Sequence, residues 1–247
     1  MLSISLSTAP MYGQQAEYHE EFPYLQEMYT ELEKYCHEVS QNIGSFIQEK
    51  KLFFQKFLND YQTIGAIAPS SRYLSKAMTK HLKAYKDVPL QILEVGAGTG
   101  VFTEYIIKYM SKESTLHVVE LDEGFCTMLK GKFKDYPNVH IYCCDITKFK
   151  LKEKVDFIVS GLPFHSFPHN LVQEILDTYI QDFIKPNGII TFFEYAFFPT
   201  LKKILLRDKN YKKVLDTLQT FKKNRVASTE DIIMRNVPPA RVIKCSC

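Results

Sequence analysis

The sequence predicts an α/β fold built on a mostly parallel β-sheet, with helices on both faces and an antiparallel hairpin at the C-terminal end. Three observations predict it. From residue 88 onward, strand-like segments alternate with helix-like segments, which is the pattern of parallel βαβ units. A glycine-rich stretch joins the first strand to the first helix. Only Pro238-Pro239 separates the last two strand-like segments, so these are expected to pair antiparallel.

Seven strands and four helices are expected in this part of the chain. The first strand is a short apolar run, as expected of a strand buried on both faces, and the first helix has apolar residues at three- and four-residue spacing. Together they form a Rossmann-like seven-stranded, mostly parallel sheet with helices on both faces. The strands are expected at 90–95, 115–120, 138–143, 155–160, 188–194, 227–236 and 240–246, and the helices at 101–111, 123–134, 169–184 and 199–224.

The chain divides into three predicted regions. Residues 1–40 form an acidic N-terminal extension, partly disordered or helical. Residues 41–87 hold N-terminal helices that are candidates for docking on a membrane and for covering a cofactor, since phenylalanines cluster there beside lysines. Residues 88–247 form the α/β domain. Packing of the 41–87 helices on that domain is the alternative to membrane docking.

Charge is unevenly distributed along the 247 residues. The formal net charge is +3, but residues 1–40 contain seven Glu and one Lys, so the remainder is strongly basic. A basic body favours an anionic partner, either a nucleic acid or an anionic membrane surface. The alternative explanation is that the lysines simply lie on solvent-exposed faces of helices.

The cysteines and the hydropathy pattern indicate where the protein works. The six cysteines form no C-x-x-C pair and no histidine cluster has metal-ligand spacing, so free thiols and no metal are expected. No apolar run is long enough for a transmembrane helix, and the N-terminus lacks the pattern of a signal peptide. We expect a cytoplasmic protein that associates peripherally with a membrane.

The stretch QILEVGAGTGVFTE carries Gly96, Gly98 and Gly100 at a strand-to-helix turn. Glycine lets a ligand approach the main chain closely. The spacing G-x-G-x-G differs from the dinucleotide fingerprint G-x-G-x-x-G. Glu94 lies two residues before the first glycine, where its charge would repel a pyrophosphate and favour a ligand with a cationic group.

Acidic residues also follow the next two strands. In open α/β sheets, ligands bind beyond the carboxyl ends of the strands. Glu120 ends the second strand, where a carboxylate can accept both hydroxyls of a ribose, and Asp145 ends the third, where it can accept from an adenine amino group. The fourth strand ends in the segment Ser160-Gly161-Leu162-Pro163-Phe164. Three carboxylates beside a glycine turn indicate a nucleoside site with a cationic end.

The motifs ILEVGAGTG, VVELD, CDIT and SGLPF resemble those of class I S-adenosylmethionine-dependent methyltransferases, over roughly residues 65–247. The resemblance implies S-adenosylmethionine as cofactor and S-adenosylhomocysteine as product. Glu94 would organise the turn near the methionyl end, Glu120 would hold the ribose, and Asp145 would lie at the adenine. The other implied cofactor-binding residues are Ser71, Gly96, Ala97, Gly98, Gly100, Leu121, Ile146, Ser160 and Gly161.

A narrower resemblance concerns the substrate. GAIAPSSRYLSKAM, EVGAGTGVFTE, SGLPF and RNVPPARVI are similar to segments of bacterial phospholipid N-methyltransferases, which are related to the ribosomal RNA adenine dimethyltransferases. This resemblance implies stepwise methylation of phosphatidylethanolamine towards phosphatidylcholine at an anionic membrane surface. It also places Ser71 and Tyr73 near the methionyl end of the cofactor.

The fourth-strand motif bears on the choice between a lipid amine and a base amine. Adenine N6-methyltransferases carry Asn or Asp, then an apolar residue, Pro and an aromatic residue, and the Asn or Asp accepts from the exocyclic amine. In this chain Gly161 replaces that residue, so the side-chain acceptor is missing. Backbone carbonyls could substitute for it, so RNA remains the alternative substrate.

An amine acceptor must lose a proton before it is methylated, since its pKa is near that of lysine. The candidate proton acceptors are His165, Tyr73 and Tyr195. Successive methylation builds a quaternary cation, which aromatic walls stabilise through cation–π contact. Phe164, Phe198 and Tyr195 are the candidate walls of that pocket.

Three further functions stay open at this point: a ribosomal RNA (adenine-N6) methyltransferase, a small-molecule amine methyltransferase, and a cofactor-binding protein without transfer activity. An apolar docking surface would argue against the small-molecule enzyme. Loss of the glycines, Glu120 or Asp145 would favour the inactive binding protein, and none of these residues is lost.

Overall fold

A computed structural model describes residues 69–195, 209–236 and 239–247, with side chains from Arg72 onward. The predicted region 1–40, residues 41–68 and the predicted wall residue Phe198 lie outside the described residues. The predicted boundaries of the three regions therefore stay predictions.

The described chain forms one seven-stranded sheet with the strand order β3-β2-β1-β4-β5-β7-β6. Strands β1 to β5 run parallel, and β7 pairs antiparallel with both β5 and β6, which confirms the predicted fold class. The strands are β1 (Gln91–Val95), β2 (Thr115–Glu120), β3 (Val139–Cys143), β4 (Val155–Ser160), β5 (Ile184–Tyr195), β6 (Ala227–Ile233) and β7 (Ala240–Ser246).

Five α-helices of the described chain cover the two faces of the sheet. Helices α1 and α2 contribute apolar residues to the core on one face of the sheet. Helices α4 and α5 contribute apolar residues to the core on the other face. Short 3-10 helices, Lys80–Tyr85 and Phe164–Ser166, follow α1 and β4. The α-helices are α1 (Pro69–Thr79), α2 (Val101–Tyr109), α3 (Glu123–Lys132), α4 (His169–Thr178) and α5 (Lys209–Lys223).

The central strand β1 is buried on both sides, as its apolar sequence predicts. Leu93 and Val95 pack into the core beneath α4 and α5, whereas Ile92 packs into the core beneath α1 and α2. Complete burial of one such Leu or Ile side chain stabilises the folded state by about 1.5–3 kcal/mol. The two cores together fix β1 and β4 side by side, with the ends of both strands at the same edge of the sheet.

The ends of several elements differ from the sequence-based expectation. The fourth helix was expected to run to residue 184, but α4 ends at Thr178 and a single π-helical turn, Tyr179–Phe183, leads into β5. Strand β6 ends at Ile233 rather than at residue 236, because Met234 and Arg235 turn towards β7. Helix α5 is described from Lys209, so the first ten residues of the predicted helix 199–224 lie outside the described residues.

The hairpin of β6 and β7 has its tip at the same edge of the sheet as the glycine turn. Tyr195, the last residue of β5, is in register with Ala240, and Ala240 is in register with Ile233. Because β6 thereby runs parallel to β5, the end of β6 and the start of β7 lie at the carboxyl edge of the sheet, where ligands of open α/β sheets bind. None of the helices described is both long and apolar enough to cross a bilayer.

Candidate cofactor-binding site

The turns that follow β1 and β4 are locked together at the centre of the carboxyl edge. The Gly96 amide donates to the Val119 carbonyl at 2.8 Å, and the Gly161 amide donates to the Val95 carbonyl at 2.8 Å. A Cβ atom on Gly161 would press into the carbonyl oxygen of Gly96, and one on Gly96 would lie 2.6 Å from the Leu162 side chain. Close packing against the backbone therefore requires Gly161, whereas Gly96 is favoured by its φ of +72° and meets only the end of the Leu162 side chain.

Gly98 has a different environment from these two glycines. Its φ of +53° lies in the left-handed region that favours glycine, but a Cβ atom there would meet no protein atom within 4 Å. The space above the Gly98 main chain is open. This is the geometry expected where a ligand, rather than the protein, approaches the backbone.

The carboxylate of Glu120 holds the glycine turn against the end of β2. Its Oε2 accepts from the Gly98 amide at 2.8 Å, and its Oε1 accepts from the amides of Leu121 at 2.8 Å and Asp122 at 3.0 Å. An ionised carboxylate offers about four lone-pair positions, so three are occupied and about one remains. The carboxylate has room for one ribose hydroxyl, and accepting two would require release of one amide.

Asp145 and Leu121 provide the features expected of a base-binding site. Asp145 Oδ1 accepts from the amide and the hydroxyl of Thr147, at 2.9 and 3.0 Å, and no described residue donates to Oδ2. The Leu121 side chain is 58% exposed beside Glu120, whereas Ile146 is buried in the core. An aromatic base lying over Leu121 would cover exposed apolar surface and leave Asp145 Oδ2 available to accept from its amino group.

Glu94 is an ionisable group with no hydrogen bond in the interior. Its side chain is fully buried at the end of β1, and neither carboxyl oxygen accepts a hydrogen bond from a described residue. Burial raises the pKa of Glu94 to about 8, while the nearby Thr103 hydroxyl lowers it in part and the charge of Glu120 raises it further. A buried carboxyl of this kind is stabilised in its charged form when a cation approaches it.

Two residues that sequence reasoning missed support the turn. Lys132 donates to the Thr99 carbonyl at 3.0 Å and pairs with Glu104 at 2.7 Å, so α3 braces the outer side of the glycine turn. Thr103 is fully buried beside Glu94. The position of Thr103 just after the glycines was a usable signal, but nothing in the sequence connects Lys132 with a carbonyl 33 residues away.

The residues predicted at the end of β4 lie mostly inside the protein. Ser160 is fully buried and its Oγ accepts from the Tyr179 hydroxyl at 3.0 Å, so only its backbone is available to a cofactor. Phe164 is 1% exposed and packs edge-on against Phe192, with the ring centroids 5.7 Å apart. Of this segment, the Gly161 main chain lies nearest the glycine turn.

The three candidate proton acceptors are not brought together. His165 packs against Tyr211 of α5, with the ring centroids 5.3 Å apart, on one face of the sheet. Tyr73 belongs to α1 on the opposite face, and its hydroxyl accepts from Arg235 at 3.4 Å. Tyr195 ends β5 and packs edge-on against Phe193. The predicted cofactor residue Ser71 lies in α1, two residues before Tyr73.

The arrangement fits a nucleoside that carries a positive charge. The ends of β1, β2 and β3 carry four features that suit such a ligand. They are the buried Glu94 carboxyl, the open space above Gly98, a spare acceptor position on Glu120 and the available Oδ2 of Asp145. No group of three or more potential metal ligands occurs among the described residues. The fold and this site define a class I S-adenosylmethionine-dependent methyltransferase.

The chain belongs to the family described as ribosomal RNA adenine dimethylase, whose sequence model matches residues 47–222. Two relatives of known activity are similar to part of this chain. The ornithine lipid N-methyltransferase of Singulisphaera acidiphila is 29% identical over 143 residues, which cover 56% of this chain and 73% of that protein. The ribosomal RNA small subunit methyltransferase A of Dehalococcoides mccartyi is 30% identical over 102 residues, or 40% of this chain and 33% of that protein.

A solved structure confirms the architecture. The N-methyltransferase NodS of Bradyrhizobium japonicum WM9, crystallised with S-adenosyl-L-homocysteine, superposes with a TM-score of 0.55 at 16% identity. The superposition covers 73% of this chain and 89% of that protein. At this identity the likeness shows the fold alone.

The raised pKa of Glu94 predicts that the stability of the protein depends on pH. The substitution Glu94→Gln should remove this part of the pH dependence. With a pKa of about 8 when folded and 4.5 ordinarily, the folded protein binds more protons than the unfolded chain between these values. The contribution of Glu94 to stability is therefore full below pH 4.5 and is lost as the pH rises through 8, by on the order of a few kcal/mol.

Urea unfolding of both proteins at pH 5 and pH 9 measures this effect. We expect the free energy of unfolding of the wild type to fall between pH 5 and pH 9 by more than that of Glu94→Gln. The variant is therefore more stable relative to the wild type at pH 9 than at pH 5. A difference between the two proteins that stays constant with pH would contradict the assignment of an ionisable, uncompensated carboxyl at this position.

Proposed function

We propose that the protein methylates the amino nitrogen of phosphatidylethanolamine and of its partly methylated forms, towards phosphatidylcholine, at an anionic membrane surface. The observation that carries this proposal is the lack of space at Gly161. This residue takes the place of the Asn or Asp that grips the base amine in adenine N6-methyltransferases, and a side chain there would collide with the Gly96 backbone. The similarity to an ornithine lipid N-methyltransferase supports a lipid amine.

The residues of the site have separate tasks in this reaction. When bound, S-adenosylmethionine supplies a methyl group on a sulfonium that departs as a neutral thioether. Glu120 and Asp145 hold the nucleoside, and the bare Gly98 backbone admits the methionyl part. Glu94 offsets positive charge near the turn. Much of the rate enhancement comes from alignment, since the acceptor nitrogen has to be held in line with the methyl group.

Removal of the proton from the acceptor ammonium falls to a group at the rim of the site. Burial lowers the pKa of His165 to about 4, and the charges of Lys222 and Arg241 contribute. His165 is therefore neutral at pH 7 but a weak base. Tyr73 is 40% exposed, and Tyr195 ends β5 at the carboxyl edge. These two tyrosines lie nearer to the side from which an acceptor arrives, and one of them would act as a relay. Its hydroxyl oxygen would accept the ammonium proton while its own proton passes to water.

A growing positive charge on the substrate nitrogen favours aromatic neighbours. Tyr195 is half-buried at the rim, whereas Phe164 lies in the core. Each aromatic ring that contacts the quaternary product contributes about 0.5–2 kcal/mol. Tyr195 is accordingly the described residue proposed for the wall of the amine pocket.

The basic body of the protein supports an anionic surface as the place of reaction. Lys209, Lys212, Lys213 and Lys223 are exposed on α5. Each basic residue near an anionic leaflet contributes about 1 kcal/mol of attraction, which salt screens. Ribosomal RNA is the second candidate substrate, favoured by the family description and by the match to a ribosomal RNA methyltransferase.

Transfer of a labelled methyl group tests the proposal. The protein is incubated with labelled S-adenosylmethionine and, separately, with vesicles of phosphatidylethanolamine, with its monomethyl and dimethyl forms, and with ribosomal RNA. We expect label in the lipids and none in RNA. Label in RNA alone would reverse the ranking of the two substrates, and label in neither would overturn both.

A further inference from the structure

Two large apolar side chains are exposed at the end of strand β6. Ile232 is 58% exposed and Met234 is 71% exposed, although most large apolar residues of the described chain are buried. Ile232 lies within the strand and Met234 begins the turn towards β7. Together with Arg235 they form what we call the hairpin tip.

The hairpin tip lies at the carboxyl edge of the sheet, where the glycine turn opens. Ile233 is in register with Ala240 of β7, which is in register with Tyr195 at the end of β5. The tip belongs to the edge strand β6, four strands away from β1 along this edge, or roughly 19 Å at about 4.8 Å per strand. The opposite end of β6, about 20 Å away at roughly 3.3 Å per residue, lies at the other edge of the sheet.

The tip is held in place by contacts with helix α1. Arg235 donates to the Tyr73 hydroxyl at 3.4 Å, and its guanidinium lies 5.5 Å from the centre of the Tyr73 ring. Lys80, the residue after α1, forms an ion pair with Asp231 of β6. These contacts hold the tip in a fixed position on the domain.

The charges around the tip are positive. Arg72 and Lys76 are exposed on α1, four residues apart and therefore on one side of the helix, and Lys76 lies one turn from Tyr73. Within the described chain, Arg72, Lys76 and Arg235 form no ion pair with a carboxylate. Exposed apolar side chains flanked by uncompensated cations are the composition of an interfacial membrane contact.

We propose that the hairpin tip inserts into the boundary between headgroups and acyl chains of an anionic bilayer, with Ile232 and Met234 in the apolar layer and Arg235 at the phosphates. This inference rests on the proposed function, because it names the surface through which the site receives a lipid amine. Two apolar side chains are too few for a stable interface between protein copies, whose cores are depleted of charge, whereas the cations complement an anionic leaflet.

The chain contains no tryptophan, so a single introduced tryptophan reports its own environment. Met234→Trp places the probe on the tip. Val226→Trp is the matched control. Val226 is 84% exposed and is also next to an arginine, Arg225, but it lies at the opposite end of β6. Each full-length variant is mixed with phosphatidylethanolamine vesicles containing phosphatidylglycerol.

We expect the emission of Met234→Trp to shift to the blue and to be quenched by brominated acyl chains, while Val226→Trp keeps its aqueous spectrum. Met234→Glu should lower vesicle affinity about tenfold, and Val226→Glu should leave it unchanged. An unshifted Met234→Trp in protein that cosediments with vesicles would overturn the inference, as would equal shifts at both positions. A shift that depends on protein concentration without vesicles would assign the tip to a second copy instead.

Methyl transfer separates this inference from the proposed function. If lipid is methylated but the tip stays in water, the docking surface is wrong and the function stands. If the tip inserts but no lipid amine is methylated, the membrane contact stands and the proposed substrate is wrong. With Met234→Glu, transfer to vesicle lipid should fall about tenfold, while transfer to a dispersed short-chain phosphatidylethanolamine should persist.

Discussion

Glu120→Ala is expected to lower the affinity for S-adenosylhomocysteine by about 100-fold or more. The substitution removes a charged acceptor that holds the amides of Gly98, Leu121 and Asp122 and that has a position left for a ribose hydroxyl. A hydrogen bond to a charged group contributes about 1.5–3 kcal/mol, and each 1.4 kcal/mol is a factor of ten in affinity. Isothermal titration calorimetry measures the loss directly.

The control for this experiment is Glu123→Ala. Glu123 is exposed in the first turn of α3, three residues further on, and its side chain contacts no part of the glycine turn among the bonds described. It should bind the cofactor product as the wild type does. Because removal of Glu120 leaves three amides without their acceptor, Glu120→Gln is tested in parallel to keep an oxygen at the site. A folded Glu120→Ala protein with wild-type affinity would contradict the assignment.

Gly161→Asn is expected to damage the protein rather than to convert it into an RNA methyltransferase. Any Cβ atom at this position is driven against the Gly96 carbonyl, so the turns after β1 and β4 have to separate. Overpacking of this kind costs about 3 kcal/mol or more when backbone has to move. Urea unfolding should show the lost stability, and calorimetry should show weaker binding of S-adenosylhomocysteine.

A second glycine provides the comparison for Gly161→Asn. Gly131 lies in α3, where a Cβ atom meets nothing within 4 Å, so Gly131→Ala should stabilise the protein by up to about 1 kcal/mol. A Gly161→Asn protein that is as stable as the wild type and methylates RNA would refute the argument against a base amine.

The fold was predictable because its signals are local. Apolar runs of strand length, helix periodicity and the turn glycines each lie within a few residues, and the seven strands were found close to their observed positions. The carboxylates at strand ends were predictable for the same reason: in a parallel sheet, consecutive strands end at a common edge. Glu120 and Asp145 therefore lie where the sequence placed them.

The details that sequence reasoning missed depend on contacts between distant segments. Lys132 braces Thr99 and Arg235 holds Tyr73 across 33 and 162 residues, and no periodic pattern encodes such a contact. His165 was a candidate proton acceptor, but it packs against Tyr211 of α5 and burial lowers its pKa. The exposure of Met234 could not be predicted from the sequence either, because an apolar residue at the end of a strand ordinarily belongs to the core.

The membrane and the RNA hypotheses share the cofactor site and differ only at its rim. Gly161, Tyr195 and the hairpin tip are the described features that separate them, since the basic surface attracts phosphates of either kind. Both hypotheses depend on a single claim, which is that the carboxyl edge holds S-adenosylmethionine with its ribose at Glu120 and its base at Asp145.

A crystal structure of the protein grown with saturating S-adenosylhomocysteine tests this claim most directly. The account predicts density for the nucleoside over Gly98, a ribose hydroxyl within hydrogen-bond distance of Glu120 and the adenine amino group at Asp145. An intact fold with no ligand density along this edge would contradict the account, whichever acceptor the protein methylates.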